Sequence, residues 1–215
     1  MKERQPLIDA DWRLTSPRDR AFDDSIVSLV ERGERVLDLG CGQGELLQRL
    51  RLEKGIREQG LEVNGEAVAE CIARGLTVSQ CDLDEGLSFF QDSSFDLAVI
   101  NQILPLVRNP VEVVKTTLRV ARRVVVTFPN FSHWRVRFQL LFLGRLPLTE
   151  SLPYQWHETP HIRYFTVSDF RSTCRKMGWQ VVSEKHQRDG TEGYRDTGIL
   201  PNLRASLSLF LLRSP

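Results

Sequence analysis

The sequence predicts a doubly wound α/β fold, a Rossmann-like sheet with helices on both faces. Three observations carry this. An apolar run, Val36 to Leu39, stops at glycines on alternate positions, Gly40, Gly42 and Gly44, and helical spacing takes over at Leu46, Leu47 and Leu50. A strand, a tight glycine turn and a helix form the opening unit of such a sheet. Strand-like and helix-like patterns then alternate along the chain, and an acid, Glu62, lies 22 positions after Gly40, close to where Rossmann-type sites set a carboxylate on ribose hydroxyls.

Taken in order, residues 1–16 lack periodicity and read as an arm, and 17–215 read as one domain. Phe22, Ile26, Leu29 and Val30 fall at helical spacing, with Gly33 as a stop. The first strand starts near Arg35, and a helix is expected over 45–54. A short second strand at 59–63 ends near Glu62, a helix over 66–74 closes at Gly75, and a third strand covers 76–80. Phe95 to Ile100 is an apolar fourth strand suited to a sheet covered on both sides. Pro110 opens a helix whose buried face is Val113, Val114, Leu118 and Val120, before the β-branched fifth strand, 124–128. An insertion spans 129–165, with a short helix at 136–143 expected to turn Phe138, Leu141 and Phe142 inward. A helix capped by Thr166 or Ser168 runs over 168–176, the sixth strand covers 179–184, 187–200 reads as a mobile loop, and 203–212 is the seventh strand.

Composition bounds the function. Of 215 residues, 29 are Lys or Arg and 28 Asp or Glu, a net charge of +1, which supports neither a nucleic-acid nor an anionic-membrane partner. Arg119, Arg122, Arg123, Arg135 and Arg137 read as solvated helix faces. Cys41, Cys71, Cys81 and Cys174 form no C-x-x-C pair and have no histidine at a metal-site spacing, so reduced thiols and no metal are expected. Without an apolar signal core, and with its longest apolar runs too short for a bilayer, the chain is expected to be cytoplasmic.

The glycine spacing narrows the ligand. A G-x-G-x-x-G fingerprint would need glycine at position 45, which is Glu45, a poor neighbour for pyrophosphate. The pattern D-x-G-x-G-x-G beginning at Asp38 instead resembles motif I of the class I S-adenosylmethionine-dependent methyltransferases. That resemblance implies a mostly parallel seven-stranded sheet with the last strand antiparallel beside the fifth. It also implies S-adenosylmethionine, or S-adenosylhomocysteine, as ligand. A carboxylate suits the ligand's ammonium and backbone N–H groups suit its carboxylate. Asp38, Gly40, Cys41, Gly42 and Gly44 are then expected to hold it, with Glu62 on the ribose diol and Val63 beside it. Gly60 to Asn64 resembles the family's G-x-E-x-D stretch, with Asn64 where Asp is common. By resemblance Asp82 accepts from the adenine amino group and Leu83 lies beside the ring; Asp84 in that role, or Asp82 as a turn cap, is the alternative. Asn101 and Gln102 stand at the carboxyl end of the fourth strand, lining the donor pocket or satisfying loop backbone, and the N-P-P-Y motif of N-methylating enzymes is missing there.

The insertion is more specific. Its runs Thr127 to Arg135, Gly144 to Pro147 and Leu152 to His161 look like those of the MetW family of methionine-biosynthesis proteins, with the resemblance covering about 33–185. Such proteins are associated with homoserine O-acyltransferase (MetX). Two functions follow from the resemblance: a partner that supports the acyltransferase, with S-adenosylmethionine as a feedback signal, or a methyltransferase acting on an unidentified small molecule. An enzyme would line a pocket with His133, Tyr154, His157 or His161. A partner module would show His133, Trp134, Tyr154 and Trp156 as an exposed aromatic patch.

Overall fold

The computed structural model describes residues 17–188, 194–196 and 199–214; the arm over 1–16 lies outside them. The chain runs α1 (Pro17–Leu29), β1 (Arg35–Leu39), α2 (Glu45–Lys54), β2 (Arg57–Glu62), α3 (Gly65–Ala73), β3 (Val78–Gln80) and β4 (Phe95–Asn101). It continues through α4 (Pro110–Val120), β5 (Ala121–Pro129), α5 (Trp134–Phe138), a π-helical turn (Gln139–Leu143), α6 (Val167–Met177) and β6 (Gln180–Gln187). The last elements are β7 (Arg195–Asp196), α7 (Pro201–Arg204) and β8 (Leu207–Arg213).

The strands form one sheet in the order β3-β2-β1-β4-β5-β8-β6-β7. The first five pair in parallel, and β8 runs antiparallel between β5 and β6. The expected seven strands are all present, and the two-residue β7 extends the edge beyond β6. The chain's winding reverses between β1 and β4, the place where open α/β sheets bind ligands at their carboxyl ends.

Strand alternation divides the core into two layers. Leu37, Leu39, Ile100, Val126 and Phe128 pack with α4 and α6 on one face, while Val36, Leu97, Val99 and Val125 pack with α1 and α2 on the other. Local chemistry sets the helix ends. Asn64 caps α3 by accepting from the Glu66 and Ala67 N–H groups, and Thr166 with Asp169 makes a capping box on α6.

Three expectations need correction. Leu203 sits in α7, not in the last strand, because Pro201 opens a helical turn and extended structure resumes only at Leu207. Part of the segment expected as a loop is strand, since β6 reaches Gln187 and β7 pairs with it; 189–193 and 197–198 lie outside the described residues. Most consequentially, Phe138, Leu141 and Phe142 face outward, and Val136 is the side chain of that helix that is buried. Helical spacing of apolar residues reports a stripe without saying what covers it.

Phe128, fully buried, stacks on Phe210 at 5.6 Å and meets Phe165 and Phe170 at 4.7 and 4.9 Å. It ties the central sheet to α6 and to the end of the insertion. Phe128→Ala is expected to destabilise the protein by about 3–5 kcal/mol, read as a fall in the urea unfolding midpoint; a shift worth under about 1 kcal/mol would refute this role for the cluster.

Candidate functional site

The site is built at the carboxyl ends of β1, β2 and β4. Gly40, Gly42 and Gly44 all have positive φ, at 73°, 53° and 76°, a region that disfavours side chains. Two of them are also crowded. A Cβ on Gly40 would stand 2.2 Å from Ile103 Cδ1, and one on Gly44 would stand 2.4 Å from Leu76 Cδ1. Gly42 faces open space, with nothing within 4 Å of such a Cβ. The middle of the loop therefore presents bare backbone, while its two ends are packed shut.

Hydrogen bonds hold this loop in place. The Gly40 and Cys41 N–H groups donate to the Leu61 carbonyl, and Gly44 N–H donates to the Cys41 carbonyl. From α3, the Cys71 thiol donates to the Gly42 carbonyl at 3.3 Å, and Arg74 donates to the Gln43 carbonyl at 3.1 Å. Gly60 on β2 lets Cys41 Sγ and Leu47 approach closely, since a Cβ there would lie 2.7 and 2.9 Å from them. No side chain caps α2 at Gly44, so its first-turn N–H groups are not taken by a cap, and they lie where a helix start attracts anions.

Glu62 joins the loop to β2. One carboxylate oxygen accepts from Gly42 N–H at 2.9 Å, and the other accepts from the Val63 and Asn64 N–H groups at 2.8 and 2.9 Å. A carboxylate offers about four acceptor positions, so Glu62 has room for about one further donor, fewer than the two expected of a diol. Asn64, in place of the family's Asp, is engaged in capping α3.

Asp38 lies beneath the loop, only 3% exposed. Burial, with Asp23 and Glu62 adding repulsion, raises its carboxyl to about 8. Burial likewise pushes the Cys41 thiol up, with Asp38 contributing, which makes it a poor nucleophile.

The third-strand acids separate in role. Asp82 caps the short turn Leu83–Glu85 by accepting from Asp84 N–H at 2.9 Å, and is exposed. Asp84 accepts from the Arg108 and Asn109 N–H groups, so it is already committed to the loop before α4. Leu83 is buried in the core with Leu61 and Leu87. At the end of β4, Asn101 accepts from the Thr127 hydroxyl, and Gln102, at φ 59°, donates its N–H to Thr127 at 3.0 Å. Positive φ in a non-glycine residue is strain of the kind that gathers at ligand sites. Thr127 and Ile103 were not singled out from the sequence; both are ordinary residue types whose positions become informative only once β4, β5 and the loop are adjacent.

The four side chains considered for chemistry do not converge. His133 is buried at the start of α5, beside Trp134. His157 lies on the surface with Trp156. Tyr154 and His161 meet edge-on at 6.1 Å, and Phe131 lies against both His161 and Tyr164. Burial holds His161 below the ordinary imidazole range, so it is neutral at pH 7. The aromatic patch is therefore mixed: Trp134 and Trp156 are exposed, His133 is not. A concavity of about 680 Å³ lined by Glu34, Asp96, Arg122 and Arg123 lies at the opposite ends of these strands and takes no part in this site. Among the described residues no group of three or more metal-ligating side chains is assembled.

The sign of the Asp38 effect is testable. Its folded value stands above the ordinary 3.8, so the folded state binds the proton more tightly and stability falls as pH rises from about 4 to about 8. Asp38→Asn is expected to remove that slope, its stability advantage growing by about 1.4 kcal/mol per pH unit across the window and levelling above it. Urea midpoints at several pH values test this; parallel pH curves for variant and parent would contradict it.

Comparison with known proteins agrees with this architecture. Residues 20–212 match the family "Methionine biosynthesis protein MetW". A relative in Rhodopirellula baltica, the "Bifunctional methionine biosynthesis protein MetXA/MetW", is 32% identical over 219 residues. That alignment takes in 96% of this chain and 35% of the relative, so the chain spans about a third of that protein's length. A "Ubiquinone biosynthesis O-methyltransferase" of an Azoarcus species is 26% identical over 70% of this chain and 66% of its own. Among solved structures, an S-adenosylmethionine-dependent methyltransferase of Thermotoga maritima superposes with a TM-score of 0.65 at 17% identity, covering 95% of this chain and 93% of that one. One from Mesorhizobium loti superposes at 0.63 with 18% identity, covering 89% and 96%. At these identities the structures establish the class I methyltransferase fold, and the match across 20–212 establishes the family: the chain belongs to the MetW family of methionine biosynthesis proteins.

Proposed function

We propose that this chain binds S-adenosylmethionine at the glycine loop and acts as a partner and activator of homoserine O-acyltransferase in methionine biosynthesis. The observation that carries the partner reading is the bifunctional relative, in which MetXA and a segment matching 96% of this chain share one polypeptide. Two activities joined in one chain act on each other at high effective concentration. Scattered candidate bases also favour a binding role over a catalytic one, with His133 buried and His157 on the surface.

The residues fit the cofactor. Gly42 offers bare backbone, the start of α2 offers N–H donors to a carboxylate, and Glu62 keeps acceptor capacity for one ribose hydroxyl. Asp38 and Glu62 together form an acidic floor that a ligand carrying ammonium and sulfonium charges would relieve. When bound, the sulfonium supplies a transferable methyl group or, in a sensor, the identity of the signal.

Methyl transfer remains a second reading on one observation: His161, kept neutral by burial and set against Tyr154, is a base able to orient a hydroxyl acceptor. The substrate class would be a small molecule.

The deciding experiment measures acyl transfer from acyl-CoA to homoserine by the acyltransferase, with and without this chain and with S-adenosylmethionine titrated. The expected outcome is a rise on adding the chain, modulated by the cofactor. An unchanged rate without a stable complex would overturn the partner reading. Independently, Glu62→Ala is expected to weaken S-adenosylmethionine binding at least tenfold by calorimetry, since hydrogen bonds to a charged group contribute about 1.5–3 kcal/mol. Unaltered affinity would remove Glu62 from the site.

A further inference from the structure

Outside the glycine-loop site, the least explained feature is the helix and turn that open the insertion. Between Trp134 and Leu148 the chain exposes one large apolar side chain after another: Leu141 is 76% exposed, Phe142 67% and Phe138 50%. Leu140, Leu143 and Leu148 are exposed beside them. Scattered surface leucines need no explanation, but a continuous apolar knob does, because soluble proteins rarely expose apolar patches beyond a few hundred Å² unless they bind something there.

The knob is built to stay exposed. Val136 anchors it in the core. Arg137 donates to the Ser132 carbonyl at 2.8 Å, tying α5 to the turn that follows β5. Gln139 grips Leu148 from both sides, donating to its carbonyl at 3.1 Å and accepting from its N–H at 3.0 Å. The π-helical turn ends at Gly144, whose positive φ turns the chain back. A π turn is rare and often marks a functional segment. Beside the knob, a concavity of about 510 Å³ is lined by Arg135, Gln139, Leu148, Thr149, Glu150 and Pro153.

The chemistry of this face selects its occupant. Arg135, Arg137 and Arg145 stand on this segment against one acid, Glu150, which lines the same concavity, and Arg135 lies over the Trp134 ring at 5.3 Å. Aromatic, leucine and arginine side chains together are the composition of an interface core and its anchors. A second copy meeting this face about a two-fold axis would bring two faces together that each carry three arginines and one acid, a net repulsion. A different protein with an apolar hollow and an acidic rim fits better. We infer that the knob formed by Phe138, Leu141 and Phe142 is the face on which this chain docks homoserine O-acyltransferase. This rests on the partner reading above and adds to it the surface that makes the contact.

The test uses the full chain, the acyltransferase, and a Leu141→Asp/Phe142→Asp double variant. Both side chains are exposed, so the variant is expected to keep the parent's thermal midpoint. Leu52→Asp, at an exposed position on α2, serves as control. Affinity by surface plasmon resonance is expected to fall at least a hundredfold in the double variant and to stay within twofold in Leu52→Asp. If the parent itself does not bind the acyltransferase, the partner reading fails. If the parent and the double variant bind equally, the reading stands and the assignment of this face is wrong. Two further outcomes would also overturn the assignment: loss in the double variant of a parent homodimer with acyltransferase binding intact, or loss of binding to phosphatidylglycerol vesicles in place of acyltransferase binding.

Discussion

The hydrogen bonds between Glu62 and the Gly42, Val63 and Asn64 amides are the constraint on which the site depends. One carboxylate pins the centre of the glycine loop to the end of β2 and shapes the turn into α3 at the same time. Charge-assisted bonds of this kind are about twice as strong as neutral ones, and here three converge on a single group. The loop can leave Gly42 open to a ligand because its conformation is held from below by Glu62 and from α3 by Cys71 and Arg74. A loop with so much positive φ would otherwise sample many shapes, and ordering it would be charged against every ligand it bound.

The cost of this arrangement is electrostatic. Glu62 stands close enough to Asp38 to disfavour the Asp38 charge, and Asp38 is enclosed. A buried acid is a liability in a purely structural strand, and a hydrophobic residue would pack more cheaply on the face of β1 that Val36 occupies. Its presence is reasonable if the site is completed by something positively charged. Perturbed acids of this sort cluster at functional sites, and the glycine spacing beside Asp38 departs from the dinucleotide pattern at Glu45.

Much of this was legible in the sequence where local pattern and global fold agree. The strand–glycine–helix unit at 35–54 and the helix at 110–120 emerge within a residue or two because apolar period, proline and glycine signals coincide there. Asn64 departs from the family pattern without disturbing the fold, since asparagine caps a helix as well as aspartate does. What escaped depended on neighbours distant in sequence. Thr127 locks Asn101 and Gln102 only because β4 and β5 pair in register, Asn101 opposite Thr127. Ile103 closes on Gly40 only because β1 and β4 are adjacent. His133 reads as exposed chemistry in a loop, yet it is buried at the start of α5.

The insertion shows the same limit from the other side. A stripe of Phe138, Leu141 and Phe142 has the spacing of a buried helix face, and nothing local distinguishes a face covered by its own chain from one left for another molecule. The distinction lies in what holds the segment. The segment is held by the buried Val136 together with hydrogen bonds from Arg137 and Gln139, while Phe138, Leu141 and Phe142 stay exposed. The two proposed roles fall on different segments: a ligand site at the carboxyl ends of β1 and β2, and a docking face at the start of the insertion, where apolar side chains are exposed beside Arg135, Arg137 and Arg145. Both follow β-strands of the same central sheet, β1 and β5, which are each paired to β4.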